Sequence, residues 1–304
     1  MRDSYGCYKA AAILSKTLPR PASYALAAFV SGCFYRMDGR ARCGVASNLG
    51  TIFTARGQPL SPPELRRLTR RTFYNFGKYL VDFFRFVNMS PGELGRLVTI
   101  EHPEYIRQAM AMNRGVLAIS AHLGNWEMAG AVMARMGYPI TAISMTQRME
   151  RVNRLLQDHR DRRGYKVLPL DGSATLKILR CIQNCEMVAL LADRDFTGHT
   201  VEMPFFGKPA LLPRGPGYLA VRMQTPILPG FITRQKDNTF ILSIYPPIIP
   251  DRGMDEHAIH AQLAKVLESA IAEAPDQWFV FRDFWNGREE VRVSDGVAAP
   301  SRRS

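Results

Sequence analysis

One short segment carries a pair of residues suited to acid–base chemistry. In His122-Leu123-Gly124-Asn125-Trp126-Glu127, a histidine and an acid stand five positions apart. A neutral imidazole can remove the proton of a hydroxyl near pH 7, as attack by an alcohol on a thioester requires. A carboxylate at the second ring nitrogen would fix the tautomer and stabilise the imidazolium that forms. The pair predicts His122 as a general base and Glu127 as the acid that orients it.

The spacing of this pair is weak evidence when taken alone. Six histidines and 27 acidic residues among 304 positions give about half an occurrence of the spacing by chance. No other histidine of the sequence has an acid five positions later. A serine nucleophile is not indicated, because Gly172-Ser173 lacks the rest of a GxSxG elbow. A surface histidine at a helix cap stays the alternative until the surrounding elements are considered.

From Gly115 onward, short apolar segments alternate with helical ones. Alternation of this kind predicts an α/β fold with a mainly parallel sheet flanked by helices. Sites in such sheets lie beyond the carboxyl ends of the strands, where His122 and the residues after Ala192 fall. We expect strands at 115–120, 140–144, 165–168, 187–192, 227–233 and 239–245, and helices at 125–136, 149–163, 174–183, 217–223 and 256–273.

The first quarter of the chain is strongly basic, since residues 1–71 hold twelve basic side chains against three acidic ones. Such a region attracts an anionic membrane surface or nucleic acid. Residues 21–35 carry no charge, but the run is shorter than the roughly 20 apolar residues that a spanning helix needs. No secretory signal is evident. We expect this segment to dock on the cytoplasmic face of a membrane without crossing it.

A clear helical periodicity precedes the α/β region. Apolar residues spaced by three, four and seven positions predict a helix over 72–87, either a core helix or a wall beside an acyl chain or the membrane. The five cysteines form no CxxC pair, and their odd number argues against a complete disulfide framework. We expect free thiols in a reducing compartment.

Several ordered motifs carry a resemblance to a known family. They are the His-x4-acid segment 122–127, Leu-Ala-Asp-Arg-Asp at 191–195, Val-Glu-Met-Pro-Phe-Phe-Gly at 201–207, and the segments 75–84 and 274–278. In these the chain resembles the late acyltransferases of lipid A biosynthesis and the related phosphatidylinositol mannoside acyltransferases, within the lysophospholipid acyltransferase superfamily. The resemblance implies a single acyltransferase domain at 72–290, preceded by a membrane-docking helical region at 1–71 and followed by a flexible tail at 291–304.

The same resemblance implies an activity and further site residues. A fatty acyl group would pass from acyl carrier protein or coenzyme A to a hydroxyl of a membrane glycolipid of the lipid A precursor type, at the cell inner membrane, without metal or cofactor. Glu202 would be a second orienting acid, and Arg194, with its acidic neighbours Asp193 and Asp195, would line the site and bind phosphate or neutralise an oxyanion. The candidates for these supporting roles are Arg194, Asp193, Asp195, Glu202, Asn125, Asn153 and Arg160.

Three other functions are weighed against this one. The residues at 193–195 and 201–207 are closer to those of the phosphatidylinositol mannoside acyltransferases, so the acceptor stays open between a lipid A precursor and a mannoside. Residues 215–220 fit GxGxxA, a pattern of dinucleotide-binding proteins. They follow no clear strand and contain a proline, so we expect a loop and the start of a helix there instead. A basic nucleic-acid-binding protein is the non-enzyme alternative, although basic segments that bind nucleic acid are usually more polar than this one. A lipid hydrolase on the same scaffold stays an alternative, with water in place of the alcohol.

Overall fold

The computed structural model describes residues 12–15, 17–86, 89–144, 164–170, 173–251 and 253–286. These residues form an α/β fold, as the alternation of segments predicts. The helices are α1 (Arg20–Met37), α2 (Gly39–Ala55), α3 (Pro62–Arg85), α4 (Pro91–Leu97), α5 (Glu104–Met110), α6 (Trp126–Arg135), α7 (Ala174–Gln183), α8 (Gly215–Met223) and α9 (Glu256–Glu273). The strands are β1 (Val98–Glu101), β2 (Val116–Ser120), β3 (Ile140–Ser144), β4 (Lys166–Pro169), β5 (Met187–Leu191), β6 (Thr200–Phe205), β7 (Lys208–Pro213), β8 (Ile227–Arg234) and β9 (Phe240–Ile244).

Seven of these strands form one sheet in the order β1-β9-β8-β2-β5-β3-β4. The strands from β8 to β4 are mutually parallel, and β9 runs antiparallel to β8. Strands β6 and β7 pair with each other as a separate antiparallel hairpin. Because β8, β2 and β5 point the same way, the residues that follow them meet at one edge of the sheet.

The central strands are buried on both faces, as expected of parallel strands covered by helices. Along β2, Leu117 and Ile119 pack in a cluster with residues of α7, α8 and α9. Val116, on the opposite face, packs in a second cluster with residues of α5 and α6. The helices therefore form a layer on each side of the sheet, and the prediction of a mainly parallel sheet flanked by helices is confirmed.

The N-terminal helices pack onto the α/β region. Asn48 of α2 donates to the backbone oxygens of Val280 and Arg282 at 3.0 and 2.8 Å. Helix α3 begins with a capping box formed by Ser61 and Glu64, ten positions before the predicted start at 72. The proposed boundary between 71 and 72 therefore falls inside a helix. None of the described helices is both long enough and apolar enough to cross a bilayer.

Most of the other predicted elements lie close to their observed bounds. Strand β3 and helices α7 and α9 have the predicted bounds, and the remaining elements from β2 onward that the structure describes differ by two residues or fewer at each end. The predicted helix at 149–163 lies outside the described residues. Four features were not predicted: helices α4 and α5, the edge strand β1 between them, and the β6–β7 hairpin, whose prolines and glycine resemble a loop in the sequence. The four described cysteines are free thiols.

Candidate active site

Two neighbouring strands bring a histidine and an aspartate together. Ser120, the last residue of β2, is in register with Leu191, the last residue of β5. His122 and Asp193 each follow two positions later, at the carboxyl edge of the sheet. Equal strand lengths and a shared direction therefore place the two side chains side by side, although 71 positions separate them in the sequence.

The carboxylate of Asp193 binds His122 at two points. Oδ1 of Asp193 lies 2.9 Å from Nδ1 of the ring, and Oδ2 accepts the backbone N–H of His122 at 3.0 Å. Oδ2 also accepts the indole N–H of Trp278 at 2.8 Å. These hydrogen bonds fix the position and the rotation of the carboxylate, and the carboxylate in turn fixes the ring.

The charge on Asp193 is stabilised within the protein interior. Complete burial opposes ionisation of this carboxyl, but the adjacent His122 ring and the hydrogen bonds from His122 and Trp278 outweigh burial and hold its pKa below the ordinary value. An ionised carboxylate only accepts hydrogen bonds, so Nδ1 of His122 carries a proton in the neutral ring. The remaining nitrogen, Nε2, then has a free lone pair.

The His122 ring is partly open to solvent, since 15% of its side chain is exposed. Within the described residues, Nε2 has no hydrogen-bond partner. The ring lies among aromatic side chains: the edge of Trp126 at a centroid distance of 5.2 Å and Phe196 at 6.4 Å. Tyr79 of α3 stacks on Trp126 at 4.6 Å. An apolar wall of this kind suits a hydrocarbon chain beside the ring.

Glu127 occupies a different position from the one predicted. It is buried in the first turn of α6, where it accepts the hydroxyl hydrogen of Tyr165 at 2.6 Å. Among the described contacts of the His122 ring, no hydrogen bond to Glu127 occurs, and Asp193 is the acid at Nδ1. The prediction that Glu127 holds the second ring nitrogen is therefore corrected. The nitrogen that contacts a carboxylate is Nδ1, and that carboxylate belongs to Asp193.

The turn that carries His122 is held by close backbone packing. Gly124 has φ of +61°, and a Cβ built on it would lie 1.7 Å from the carbonyl oxygen of Ile232 in β8. Asn125 is the N-cap of α6, since its side-chain oxygen accepts the N–H of Met128 at 3.2 Å. Its amide nitrogen is buried and has no hydrogen-bond partner among the described residues. Asn125 therefore shapes the turn, and its role in substrate binding stays a prediction.

The residues after Asp193 divide into two roles. Asp195 accepts hydrogen bonds from Thr197 and from the backbone N–H of Gly198, which makes it a support for the following loop. The guanidinium of Arg194 lies over the ring of Phe196 at 4.8 Å, and Phe196 faces His122. Arg194 thus lies at the same edge of the sheet as the histidine, where a cation can meet an anionic group of a substrate.

The other predicted site residues are not joined to this group by described contacts. Glu202 is exposed on β6, opposite Leu211 of the hairpin, and no described hydrogen bond connects it with His122. Asn153 and Arg160 lie outside the described residues. The role of Glu202 as a second orienting acid, like the roles of Asn153 and Arg160, stays a prediction.

Sequence reasoning assigned no role to the segment after the short 3₁₀ helix Pro275–Gln277, although 274–278 was among the quoted motifs. The backbone oxygen of Gln277 accepts the N–H of Gly124 at 2.9 Å, and the N–H of Phe279 donates to the His122 oxygen at 2.7 Å. Together with the indole of Trp278, these bonds attach the segment to the histidine turn. The signal in the sequence that could have indicated this role was Trp278, which directly follows a short polar segment.

Comparison with known proteins shows the family to which the chain belongs. The family model described as bacterial lipid A biosynthesis acyltransferase matches residues 6–286. A phosphatidylinositol mannoside acyltransferase of Mycolicibacterium smegmatis is 28% identical over 222 residues, which cover 72% of each chain. A protein of the same name from Mycobacterium tuberculosis is 29% identical over 216 residues, 69% of this chain and 68% of the relative. The chain belongs to the bacterial lipid A biosynthesis acyltransferase family and is an acyltransferase.

Proposed function

We propose that this protein transfers a fatty acyl group from a thioester, of acyl carrier protein or coenzyme A, to a hydroxyl of a membrane glycolipid. The observation that carries the proposal is the pairing of His122 with the buried Asp193 carboxylate at the open edge of the sheet. This arrangement leaves Nε2 of His122 as a proton acceptor, which is what an attacking alcohol needs.

The reaction proceeds without a covalent acyl-enzyme. Nε2 of His122 takes the proton of the acceptor hydroxyl as its oxygen forms a bond to the thioester carbonyl carbon. The imidazolium is stabilised by the Asp193 carboxylate at 2.9 Å. When the C–S bond breaks, the thiolate takes the proton from Nε2, so that the ester and a free thiol leave and the neutral ring is restored. Asp193 thus takes the orienting role, and buried Glu127 positions α6 through Tyr165.

The family and its relatives support a glycolipid as the acceptor. The family name and the names of the mycobacterial relatives both denote acyl transfer in glycolipid synthesis. A lipid A precursor and a phosphatidylinositol mannoside are therefore the two acceptors to be compared. Of these two acceptors we favour the mannoside type, because the chain is similar to a phosphatidylinositol mannoside acyltransferase over more than two thirds of its length.

A membrane site of action is supported by the outer face of α1. Leu26, Phe29, Val30, Phe34 and Met37 are exposed by 38%, 71%, 43%, 62% and 83%, at spacings of three and four that place them along one side of the helix. The surrounding N-terminal region is basic. Apolar side chains next to arginines match an anionic lipid surface at the cytoplasmic face of the inner membrane.

Acyl transfer can be tested directly with a radiolabelled acyl thioester and mixed membrane glycolipids. We expect the label in a glycolipid, and we expect His122→Ala to lower turnover by about 100-fold to 10,000-fold while the circular dichroism spectrum is unchanged. Mass spectrometry of the product identifies the acceptor and the acyl length. Label only in free fatty acid would make the protein a hydrolase, and full activity of the histidine variant would refute the mechanism.

A further inference from the structure

A second group of charged residues lies at the same edge of the sheet, beneath α1. Asp82 of α3 is fully buried and forms an ion pair with Arg234, the last residue of β8. Arg20, the first residue of α1, lies 3.9 Å from the same carboxylate. Lys78, one helical turn before Asp82 on α3, donates to the side chain of Asn238 at 3.0 Å. We call Arg20, Lys78 and Arg234 the basic cluster.

The basic cluster carries more positive charge than its contacts neutralise. Asp82 is the one carboxylate in contact with it among the described residues. The neutral Tyr24 hydroxyl donates to Asp82 at 2.7 Å, and its ring lies 5.2 to 5.4 Å from each of the three cations without bringing a charge. The acid on the neighbouring turn, Asp237, is exposed and accepts the N–H and the hydroxyl of Thr239. Three cations thus share a single buried anion.

Hydrogen-bond donors of the cluster remain unused. Of the three Lys78 ammonium hydrogens, one has a partner within the described residues, the oxygen of Asn238. Arg20 donates through Nε to Tyr24 and through one terminal nitrogen to the Asn238 carbonyl, which leaves its other terminal nitrogen without a described partner. The side chain of Arg20 is 28% exposed, so its free donors can be reached from outside.

The electrostatics of Lys78 agree with an excess of positive charge. Burial, and after it the Arg234 guanidinium, lower the pKa of the Lys78 amine, while Asp82 acts in the opposite direction. Arg20 and Arg71 also lower it. A bound anion would remove this repulsion and fill the unused donors.

The basic cluster is close to the catalytic group. Gln277 brackets the backbone of Arg234 with two hydrogen bonds of 2.8 Å, and its own carbonyl accepts the N–H of Gly124 in the histidine turn. Tyr79, which follows Lys78, stacks on Trp126 beside His122. A substrate bound at His122 can therefore extend to the basic cluster. Helix α1, which has the exposed apolar side chains, covers this cluster.

We propose that Arg20, Lys78 and Arg234 bind a phosphate group of one of the two substrates during acyl transfer. The inference rests on the proposed function, since it assumes a phosphate-bearing substrate at His122. The phosphate belongs either to the head group of a lipid acceptor or to coenzyme A as the donor. Both sources have the same recognition chemistry, charged donors around a tetrahedral anion. Because the basic cluster lies beneath α1, whose exposed apolar side chains match a lipid surface, the head group of a lipid acceptor is the favoured source of the phosphate.

Binding can be measured by calorimetry with two soluble probes, dihexanoyl phosphatidylinositol and coenzyme A. The test variant is Lys78→Gln, which removes the charge and keeps a donor toward Asn238, and the matched control is Lys236→Gln on the exposed β8–β9 turn. We expect Lys78→Gln to weaken one probe by about tenfold and Lys236→Gln to weaken neither by more than about twofold. Lys78→Arg, which retains the charge, should restore most of the affinity.

The outcomes separate the sources and the proposals. Weakening of phosphatidylinositol alone assigns the site to the acceptor, and weakening of coenzyme A alone assigns it to the donor. Unchanged affinity for both probes in Lys78→Gln, or an equal loss in Lys236→Gln, would overturn the phosphate site. Because neither measurement requires turnover, a protein that binds a probe through Lys78 but transfers no acyl group would contradict the proposed reaction and leave the site intact.

Discussion

The Asp193 carboxylate binds both the ring and the backbone of His122, with Oδ1 at 2.9 Å from Nδ1 and Oδ2 at 3.0 Å from the amide nitrogen. A single buried acid therefore sets the tautomer of the histidine and the conformation of the turn that carries it. Such a double attachment explains how one imidazole keeps its orientation at the mouth of a sheet without a second side chain on Nε2 among the described residues.

We expect Asp193→Asn to lower turnover by about 100-fold to 10,000-fold with little change in the affinity for the thioester. An asparagine of the same shape can present its amide N–H to Nδ1, which favours the wrong tautomer of the ring. The measurement is steady-state kinetics with labelled thioester, accompanied by circular dichroism to show that the fold persists.

The control for this prediction is Glu127→Gln, a substitution of the same kind at the other buried acid. Its loss of turnover should be smaller than that of Asp193→Asn, because the described partner of Glu127 is Tyr165 and not the histidine. An equal or larger loss at Glu127 would return the orienting role to that residue.

The fold could be predicted from local patterns because each of its central elements has a clear period. Helix α9 shows apolar spacings of three and four, and β3 is a short apolar run between turns. The β6–β7 hairpin was missed because Pro204 and Pro209 argue against strands in general. In this hairpin the two prolines face each other, and a two-stranded pairing leaves free edges where a missing N–H is tolerated.

The orienting acid could not be predicted from the sequence, and the reason is topological. The five-residue spacing pointed to Glu127, but the partner of a side chain at a sheet edge is set by the neighbouring strand. Only the pairing of β2 with β5 in register shows that Asp193 lies beside His122. A single sequence contains the ends of the strands but not their order in the sheet.

The backbone of the histidine turn should tolerate no side chain at Gly124. Its φ of +61° and the 1.7 Å approach of a built Cβ to the Ile232 oxygen require the turn or β8 to move. We expect Gly124→Ala to lower the free energy of unfolding by about 3 kcal/mol or more and to abolish acyl transfer. Urea denaturation measures the first effect. Gly50→Ala, within α2 and without neighbours around its Cβ position, should change stability by about 1 kcal/mol or less, in the stabilising direction.

Membrane attachment should depend on the outer face of α1. Replacing both Phe29 and Phe34 by serine removes two large exposed apolar groups, so we expect binding to anionic vesicles to weaken by about tenfold or more. Sedimentation with the vesicles gives the bound fraction. High salt should weaken the wild-type binding only in part, because it screens the arginines and leaves the apolar contribution. The matched control replaces Leu176 and Leu211, which are equally exposed on other parts of the surface, and should bind like the wild type.

The Tyr24 hydroxyl should make the stability of the folded protein fall at high pH, and a substitution at Tyr24 can test this. Burial, followed by the neighbouring Asp82 carboxylate, raises the pKa of this hydroxyl to about 12. Because its folded-state pKa lies above the unfolded value of about 10, the contribution of Tyr24 to stability is fully present below pH 10 and is lost as the pH rises toward 12.

Tyr24→Phe should therefore remove one source of alkaline destabilisation. We expect the melting temperature of the wild type to fall more steeply between pH 10 and about 12 than that of Tyr24→Phe. Tyr74→Phe should follow the wild type, because the described partner of the Tyr74 hydroxyl is the Arg70 guanidinium and not a carboxylate. Parallel curves for wild type and Tyr24→Phe would mean that burial and the Asp82 carboxylate do not raise the pKa of the Tyr24 hydroxyl.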